Sequence, residues 1–290
     1  MKIASTKISD VIRYFRQELE GIYDPGELET FILFCFEAYL NYSKTDFLLR
    51  AGDNMSESEL LKFNFAIKQL KQQRPIQYIL GTADFYKLHF TVNEHVLIPR
   101  PETEELVDLI IRDNKHKQPF HLLDIGTGSG CIAISVKKNL SHATVSGCDI
   151  SEEALKVANL NASMNQVTVS FFKKDILQTD LIDLSQYDCI VSNPPYISFS
   201  EKEQMHKNVL EYEPHLALFV PDEDPLLFYK NIGDFALKNL RPGGKLYFEI
   251  NAAYGLETSQ ILEEKGFKNV ILVTDLNNKN RILRGDHPGV

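Results

Sequence analysis

Residues 122–130 read LLDIGTGSG, a short apolar run that leads directly into a loop with three glycines. The run is predicted to be a buried strand, and the residues after the loop are predicted to form a helix. Glycine lets a backbone turn this tightly while a ligand lies against it. Asp149 follows at the end of the next predicted strand, about 20 residues further on, where a carboxylate accepts hydrogen bonds from a ribose diol. Strand, loop, helix and acid in this order predict a nucleoside-binding site.

The loop does not by itself choose the cofactor, because residues 128–133 also satisfy the dinucleotide-binding pattern that ends in alanine. Asp124 comes two positions before the first glycine, where its carboxylate either organises the loop amides or attracts the amino group of a methionine moiety. It would repel a pyrophosphate. Asp175, just after the third predicted strand, is placed to accept from an adenine amino group, although a solvated acid at a strand end explains it equally well.

The sequence around this loop has the pattern of a doubly wound, Rossmann-like α/β domain. Short apolar runs predict buried strands, and the segments between them predict crossover helices. The predicted strands are residues 121–125, 143–148, 167–172, 189–191 and 245–250, and the clearest helices are residues 130–140 and 152–164.

The first 80 residues have a helical pattern and predict a small all-α bundle. Apolar residues at helical spacing give the first segment one buried face; they are Ile8, Val11, Ile12, Phe15 and Leu19. A second helix is predicted to start at Asp24, with Pro25 at its first position and Glu27 reaching back to the cap, and to run to about residue 42. A third is predicted to start at Ser56 or Ser58 and to stop before Pro75.

Between these regions, residues 86–92 alternate apolar and polar side chains, which predicts one arm of a β-hairpin. The predicted division is therefore a helical bundle over residues 1–80, a hairpin linker over residues 81–97 and an α/β domain over residues 98–290. A chain of 290 residues is long enough for one large domain and a smaller one.

Residues 192–196 read SNPPY and end the fourth predicted strand, at the edge where open α/β sheets bind ligands. The lone pair of an amide nitrogen is delocalised, so attack on a sulfonium methyl group needs that lone pair to be freed and aimed. If the Asn193 side-chain oxygen and the Pro194 carbonyl each accept one N–H, the lone pair points at the methyl group. Pro195 stiffens the turn, and Tyr196 offers an aromatic face to the planar group and the cationic sulfur. The turn predicts transfer to a planar amide or amine nitrogen by positioning, without a general base.

Charge, cysteine content and termini exclude some classes. The net charge is −9, while residues 1–80 hold 10 basic and 11 acidic residues, so the acidic excess lies in the remainder. This balance weighs against direct binding of DNA phosphates. The four cysteines are far apart and predict reduced thiols, with neither a disulfide framework nor a metal site. Residues 1–6 lack the apolar core of a signal peptide, and no apolar run is long enough to cross a membrane, so we expect a cytoplasmic protein.

These motifs resemble the HemK/PrmC family of S-adenosylmethionine-dependent methyltransferases, which carry the Asn-Pro-Pro-Tyr turn. The resemblance extends over essentially the whole chain and includes residues 74–81 (RPIQYILG), 85–86 (FY), 98–104 (IPRPETE) and 213–219 (EPHLALF). Members of the family methylate the glutamine of the Gly-Gly-Gln motif in class I peptide-chain release factors, in support of translation termination. Their N-terminal bundle contributes to release-factor recognition.

The resemblance implies a role for each matching position. The residues that border S-adenosyl-L-methionine would be Gly126, Thr127, Gly128, Ser129 and Gly130, with Asp149 on its ribose and Asp175 and Ile176 beside its adenine. Asp124 and Asn193 are also expected to contribute to cofactor binding. The residues that hold the glutamine would be Asn193, Pro194, Pro195 and Tyr196. Two segments depart from the family pattern: Asn251 replaces a glycine after Glu249 and Ile250, and residues 221–226 replace a loop richer in glycine.

Four rival interpretations remain open on the sequence. A sister enzyme that methylates a ribosomal-protein glutamine would share the catalytic motifs. An N6-adenine DNA methyltransferase uses the same turn but is expected to carry an appended basic recognition region, which does not follow the α/β domain in this sequence. A non-catalytic translation-factor adaptor and a nicotinamide-dependent oxidoreductase do not need residues 193–196, whose integrity argues against both.

Overall fold

The computed structural model describes residues 5–178 and 186–289. Residues 1–4, which belong to the N-terminal segment without the apolar core of a signal peptide, lie outside the described residues. Within the described ranges, no helix combines the length and the apolar character that a membrane span requires.

Eleven α-helices and eleven strands are found among the described residues, numbered in chain order. The helices are α1 Ile8–Leu19, α2 Pro25–Leu40, α3 Lys44–Leu49, α4 Glu57–Lys71, α5 Ile76–Leu80, α6 Pro101–Asn114, α7 Cys131–Asn139, α8 Glu152–Met164, α9 Lys207–Tyr212, α10 Leu227–Asn239 and α11 Gly255–Glu264. The strands are β1 Thr82–Phe85, β2 Leu88–Thr91, β3 His121–Ile125, β4 Thr144–Asp149, β5 Ser170–Lys173, β6 Tyr187–Ser192, β7 Ile197–Ser198, β8 Phe219–Val220, β9 Leu240–Glu249, β10 Lys268–Thr274 and β11 Asn280–Asp286.

The chain divides into two units. The helical unit comprises Met1–Gly81 together with Lys207–Tyr212, and the sheet unit comprises Thr82–His206 together with Glu213–Val290. The short helix α9 therefore belongs to the helical unit, although it lies far along the chain between two parts of the sheet unit. No feature of the sequence pattern indicates this assignment.

In the helical unit, the amphipathic patterns locate the three longest helices. The apolar face predicted for α1 is buried at all five positions, which confirms it. Ser56 is the residue that caps α4, with Glu59 accepting a hydrogen bond from the Ser56 backbone N–H, so the first of the two predicted starts is correct. At α2 the predicted cap is only half right: Pro25 occupies the first turn, but the Asp24 side chain makes no cap hydrogen bond.

Three short helices of the same unit were not predicted. A capping box between Ser43 and Asp46 starts α3, and α5 follows Pro75 directly. The third is α9, whose Tyr212 hydroxyl donates to the backbone oxygen of Gln72 at 2.8 Å. None of these helices is long enough to show a helical period, so only their position against the rest of the unit defines them.

The sheet unit contains, among the described residues, a seven-stranded sheet in the order β10-β11-β9-β6-β3-β4-β5. The five strands from β9 to β5 run parallel, and β11 and β10 close the sheet in antiparallel fashion. Helices α6, α7 and α8 contribute to one apolar core on the sheet, and α10 and α11 contribute to another. The predicted doubly wound α/β fold is confirmed.

The strand order places the predicted site segments side by side. Strand β3 lies between β4 and β6, and its last residue, Ile125, pairs with Cys148 on one side and Ser192 on the other. Asp149, at the end of β4, pairs with Lys173 at the end of β5. The carboxyl ends of these four strands therefore meet at one edge of the sheet, where ligands bind in open α/β folds.

The predicted hairpin is formed by β1 and β2, which pair in antiparallel fashion. Tyr86, predicted to lie in a strand, instead occupies the turn with Lys87, and both have positive φ values of 47° and 61°. This two-residue turn matches the twist of a hairpin despite the strain on side chains other than glycine. Phe90 is fully buried, as its place in the alternation predicted.

Candidate active site

A cavity of about 300 Å³ opens at the carboxyl edge of the parallel strands, at the small end of the usual range for ligand pockets. Most of the predicted site residues line it: Gly126, Thr127, Gly128, Ser129, Asp149, Asp175, Ile176, Asn193, Pro194 and Pro195. Asp124, Gly130 and Tyr196 are outside this lining. The fold thus brings the glycine loop, the two acids and the proline turn to a single cavity.

The loop after β3 needs its glycines for two separate reasons. Gly126 and Gly128 have φ values of +71° and +53°, and a Cβ atom added to either would meet no other atom within 4 Å. Gly130 also has a positive φ, and a Cβ there would lie 2.9 Å from the Cδ1 atom of Ile134. The first two glycines therefore keep the backbone open to a ligand, and the third lets α7 start close to the sheet.

Asp124 supports this loop from beneath. Its carboxylate accepts a hydrogen bond from the Thr127 hydroxyl at 2.6 Å, and the side chain is completely buried. Burial raises the pKa of Asp124 to about 7, against the opposing effect of the Thr127 hydrogen bond. This contact is the kind expected if the carboxylate organises the loop.

Asp149 connects the loop to the second strand. One carboxylate oxygen accepts the backbone N–H of Gly128 and the other accepts the backbone N–H of Ser151, each at 2.9 Å. Burial raises the pKa of Asp149, while these backbone hydrogen bonds oppose the rise. A carboxylate oxygen has more than one lone pair, so both oxygens retain acceptor capacity toward the cavity.

Asp175 also lines the cavity and is held by its own loop. Its oxygens accept from the backbone N–H of Leu177 at 3.0 Å and from the side chain of Gln178 at 3.1 Å. These bonds are typical of a loop-closing acid at a strand end, and they leave acceptor capacity for a ligand. Ile176 provides an apolar surface beside it.

The proline turn after β6 is fixed at both ends. Before it, the Ser192 hydroxyl donates to the backbone oxygen of Ile125 at 2.7 Å. Within it, the Asn193 side-chain nitrogen faces the hydroxyl oxygen of Thr103 at 3.4 Å. After it, the Tyr196 hydroxyl faces a carboxylate oxygen of Glu249 at 3.4 Å. Burial and the nearby Glu249 charge raise the pKa of Tyr196, so its hydroxyl keeps its proton.

Sequence reasoning assigned no role to three residues that support this turn. Thr103 and Glu249 are both buried, and the Thr103 hydroxyl donates to Glu249 at 2.6 Å. The Asn251 side-chain nitrogen donates to the backbone oxygen of Tyr196 at 3.1 Å. Thr103 lies in residues 98–104, which carry the resemblance, and Glu249 comes shortly before the departure at Asn251, but only the tertiary structure shows that Thr103 and Glu249 meet behind residues 193–196.

A second group of contacts beside the cavity involves Glu213. The buried carboxylate of Glu213 accepts from the backbone N–H of Ile98 at 3.2 Å and pairs with the guanidinium of Arg100, which lines the cavity. Two segments that carry the resemblance, residues 98–104 and 213–219, are thereby joined at the site.

Comparison with known proteins agrees with this arrangement. The family model described as "Methyltransferase small domain" matches residues 106–213, and the one described as "PrmC N-terminal domain" matches residues 10–81. A methyltransferase structure from Pyrococcus furiosus superposes with a TM-score of 0.52 at 18% identity, covering 70% of this chain and 90% of that chain. This likeness shows the fold. Fold, glycine loop and family model together define an S-adenosylmethionine-dependent methyltransferase.

Close relatives narrow the class to one family. A release factor glutamine methyltransferase of Flavobacterium psychrophilum is 49% identical over 274 residues, which cover 93% of this chain and 95% of the relative. Another of that name, from Bacteroides thetaiotaomicron, is 45% identical and covers 94% of this chain and 98% of the relative. The chain belongs to the release factor glutamine methyltransferase family, the HemK/PrmC family that the sequence motifs resemble.

Proposed function

We propose that the protein transfers the methyl group of S-adenosylmethionine to the side-chain amide nitrogen of the glutamine in the Gly-Gly-Gln motif of class I peptide-chain release factors. The observation that carries the proposal is that one cavity is lined both by the nucleoside-binding loop with Asp149 and by the Asn193 and Pro194 turn. The near full-length relatives that bear the name of this activity support the choice of substrate.

The cofactor side of the cavity fits S-adenosylmethionine. Gly126 and Gly128 leave their backbone open where a side chain would intrude, and the Asp149 oxygens have acceptor capacity for the ribose hydroxyls. Asp175 and Ile176 are proposed to flank the adenine, and Asp124 to act through the loop that it braces. When bound, the cofactor supplies a methyl group on a positively charged sulfur.

On the substrate side, the turn holds the amide. The Asn193 nitrogen is directed at Thr103, so the Asn193 Oδ1 atom is free to accept one N–H of the glutamine amide, and the Pro194 carbonyl accepts the other. With both N–H groups held in this plane, the nitrogen lone pair is aimed at the methyl carbon, and the nitrogen loses a proton after transfer. Positioning of this kind supplies a large share of the rate without a base of tuned pKa. The aromatic contact proposed for Tyr196 stays a prediction.

The turn alone does not distinguish a glutamine from an adenine, because both present a planar NH₂ group. A DNA enzyme needs contacts to phosphates and a means to extrude the base, whereas this chain has a net charge of −9. The match of residues 10–81 to the PrmC N-terminal domain favours a protein substrate recognised in part by the helical unit. A ribosomal-protein glutamine is the alternative that shares the same chemistry.

A parallel labelling experiment tests the proposal. The full-length protein is incubated with methyl-labelled S-adenosylmethionine and, separately, with a class I release factor, ribosomal proteins and duplex DNA, and mass spectrometry locates the label. We expect the label on the glutamine of the Gly-Gly-Gln motif. A release factor with glutamine replaced by asparagine is the matched control, and preferential labelling of ribosomal protein or DNA would refute the proposed substrate.

A truncation tests the proposed role of the helical unit. Deleting residues 1–81 should lower kcat/KM for an intact release factor, because docking energy is lost. A short peptide that contains Gly-Gly-Gln is the control, since it cannot reach a distant docking surface and should be methylated equally by both forms. The deletion also removes Gln72, the partner of Tyr212, so cofactor affinity is measured to verify that the sheet unit remains folded. Equal efficiency on the intact release factor would contradict the assignment.

A further inference from the structure

We infer that Thr103 and Glu249 form a positioning relay that fixes which way round the Asn193 side-chain amide lies, with its oxygen presented to the substrate. The inference rests on the proposed function, because it concerns how the substrate amide is recognised. It assigns a role to two residues that the catalytic turn does not contain.

The contacts form a chain of three groups behind the turn. The Thr103 oxygen lies 3.4 Å from the Asn193 nitrogen and 2.6 Å from a carboxylate oxygen of Glu249. Thr103 lines the cavity, while Glu249 is 1% exposed and its other oxygen faces the Tyr196 hydroxyl. Glu249 therefore contacts, directly or through Thr103, both the first and the last residue of the turn.

The direction of these hydrogen bonds follows from the number of protons available. A threonine hydroxyl has a single hydrogen, and in this structure a buried carboxylate at short distance accepts it. The Thr103 oxygen is then left only with lone pairs toward Asn193, so it must meet the amide nitrogen and not the amide oxygen. The Asn193 oxygen is consequently turned away from Thr103 and is available to accept an N–H from the substrate.

The direction is the same for an ionised Glu249 and for one of the two protonated forms of its carboxyl group. Burial raises the pKa of Glu249, the positive charge of Arg281 lowers it, and the neighbouring carboxylate of Glu102 raises it. If the carboxyl holds a proton on the oxygen that faces Tyr196, the other oxygen still accepts from Thr103. The relay thus keeps the same orientation when Glu249 is ionised and when its proton lies on the oxygen that faces Tyr196.

The asparagine needs such a device because its two ends are nearly identical in shape. Without a fixed neighbour, the amide can rotate and present its NH₂ group, which would place a donor against the N–H groups of the glutamine. The rotated form cannot hold the substrate, so any population of it lowers the fraction of competent enzyme. Binding of the cofactor is expected to change little, because the glycine loop and Asp149 are intact.

Variants at Thr103 test this directly. Thr103→Val keeps the side-chain shape and removes the acceptor, so kcat at saturating release factor should fall about tenfold or more, while the cofactor Kd stays unchanged. Thr103→Ser keeps the hydroxyl and should restore most of kcat. Wild-type kcat in Thr103→Val, or a loss in Thr103→Ser equal to that in Thr103→Val, would overturn the inference.

Variants at Glu249 provide the second arm. Glu249→Met releases the Thr103 hydrogen, which can then turn to the Asn193 oxygen and favour the wrong orientation, so kcat should fall to a similar extent. Glu249→Gln retains a carbonyl oxygen for Thr103 and should recover most of it. The double variant Thr103→Val/Glu249→Met should lose no more than Thr103→Val alone, because both changes break one relay. Additive losses, or loss of folding in both single variants, would overturn the relay and assign these residues to stability alone.

The outcome is distinguishable from failure of the proposed function. If the wild-type protein labels a ribosomal protein or DNA instead of a release factor, the substrate assignment is refuted. The relay is then tested on that substrate with the same variants, since any planar NH₂ group needs the same Asn193 oxygen.

Discussion

The two halves of the proposed active site, the cofactor half and the substrate half, are built differently. Apart from Asp175 and Ile176, the cofactor half lies within one strand-helix-strand segment, and its main contacts, Asp124 with Thr127 and Asp149 with Gly128, fall within residues 124–149. The substrate half is a four-residue turn whose supports, Thr103, Glu249 and Asn251, lie far from it in the sequence. Substitutions in the cofactor half are expected to lower cofactor affinity. Substitutions in the substrate half are expected to lower turnover.

The largest effect is expected at the turn itself. Asn193→Ala removes the proposed acceptor for one substrate N–H and should lower kcat roughly a hundredfold, in the range found when a single transition-state hydrogen bond is removed. The cofactor Kd, measured by calorimetry, should change little, because Asp149 and the glycine loop are intact. A fall in kcat without a change in Kd would show most clearly that the substrate half and the cofactor half act separately.

Two controls protect this interpretation. The melting temperature of Asn193→Ala should match that of the wild type, since Asn193 is only half-buried and its bond to Thr103 is long. Turnover near the wild-type rate would refute the proposed mechanism. An equal loss of cofactor affinity would show that the two halves are not separable.

The sequence predicts where the residues of the proposed cofactor half lie, because they follow strand ends at regular spacing. The end of β3, three glycines and an acid at the end of β4 can be recognised from a short stretch of chain. It predicts the residues of the turn but not their support, since no spacing rule connects Thr103 to Asn193 or Glu249 to Tyr196. Only the pairing of β6 with β9 and the packing of α6 against the sheet bring those residues together.

The next largest effect is expected on the cofactor side. Asp149→Ala removes charge-assisted hydrogen bonds to the ribose, worth about 1.5–3 kcal/mol, and should weaken S-adenosylmethionine binding on the order of tenfold or more. It also frees the backbone N–H of Gly128, which adds to the loss. Calorimetry measures the Kd, and kcat at saturating cofactor should fall less than in Asn193→Ala.

Asp175→Ala is the matched comparison for Asp149→Ala. Asp175 lies on the same cavity but is held by Leu177 and Gln178 of its own loop. If Asp175 only closes that loop, the cofactor Kd should change much less than in Asp149→Ala. A loss as large as that of Asp149→Ala would instead support the predicted contact with the adenine amino group.

A smaller effect, on stability, is expected at Asp124. Its pKa is about 7 in the folded protein against an ordinary value of 3.8, so the protonated form stabilises the fold fully below about pH 4. This contribution is lost as the pH rises toward 7, because the buried carboxyl must then ionise at a cost. Asp124→Asn stays neutral and keeps an acceptor for Thr127, so it lacks this dependence.

The measurement is the melting temperature of both proteins at several pH values from about 4 to 8, the range that spans the two pKa values. The difference in favour of Asp124→Asn should grow between the ordinary pKa of 3.8 and the folded-state pKa of about 7 and then level off. Parallel curves would show that the pKa of Asp124 is the same in the folded and the unfolded protein. Because Asp124 braces the loop from outside the cavity lining, we expect little change in kcat.

The same contrast between local and distant contacts explains which elements of the fold the sequence predicts. The buried face of α1 and the capping box of α4 are local, and the sequence predicted both. Helix α9 has no buried residue and only six residues, and its Tyr212 hydroxyl donates a hydrogen bond to the backbone oxygen of Gln72 in the helical unit. At α2, the predicted positions of Asp24 and Pro25 are correct, but the Asp24 side chain makes no cap hydrogen bond.

The smallest effect is expected at Asn251, where the chain departs from the glycine of the family pattern. Its φ of −65° suits any residue, so the asparagine costs no backbone strain. Its side chain donates to the Tyr196 carbonyl at 3.1 Å and accepts from the Ala253 N–H at 3.0 Å. Asn251→Gly should therefore lower stability by roughly 1 kcal/mol, through lost hydrogen bonds and greater freedom of the unfolded chain.

Asn251→Asp separates the two bonds, because it keeps the acceptor for Ala253 and loses the donor to Tyr196. If the Tyr196 bond helps to hold the turn, both variants should lower kcat by a similar small factor, while only Asn251→Gly loses the Ala253 bond. A decrease of kcat in Asn251→Gly alone would mean that the turn responds to the loop after β9 and not to this bond, and the substrate half would then have one distant support fewer.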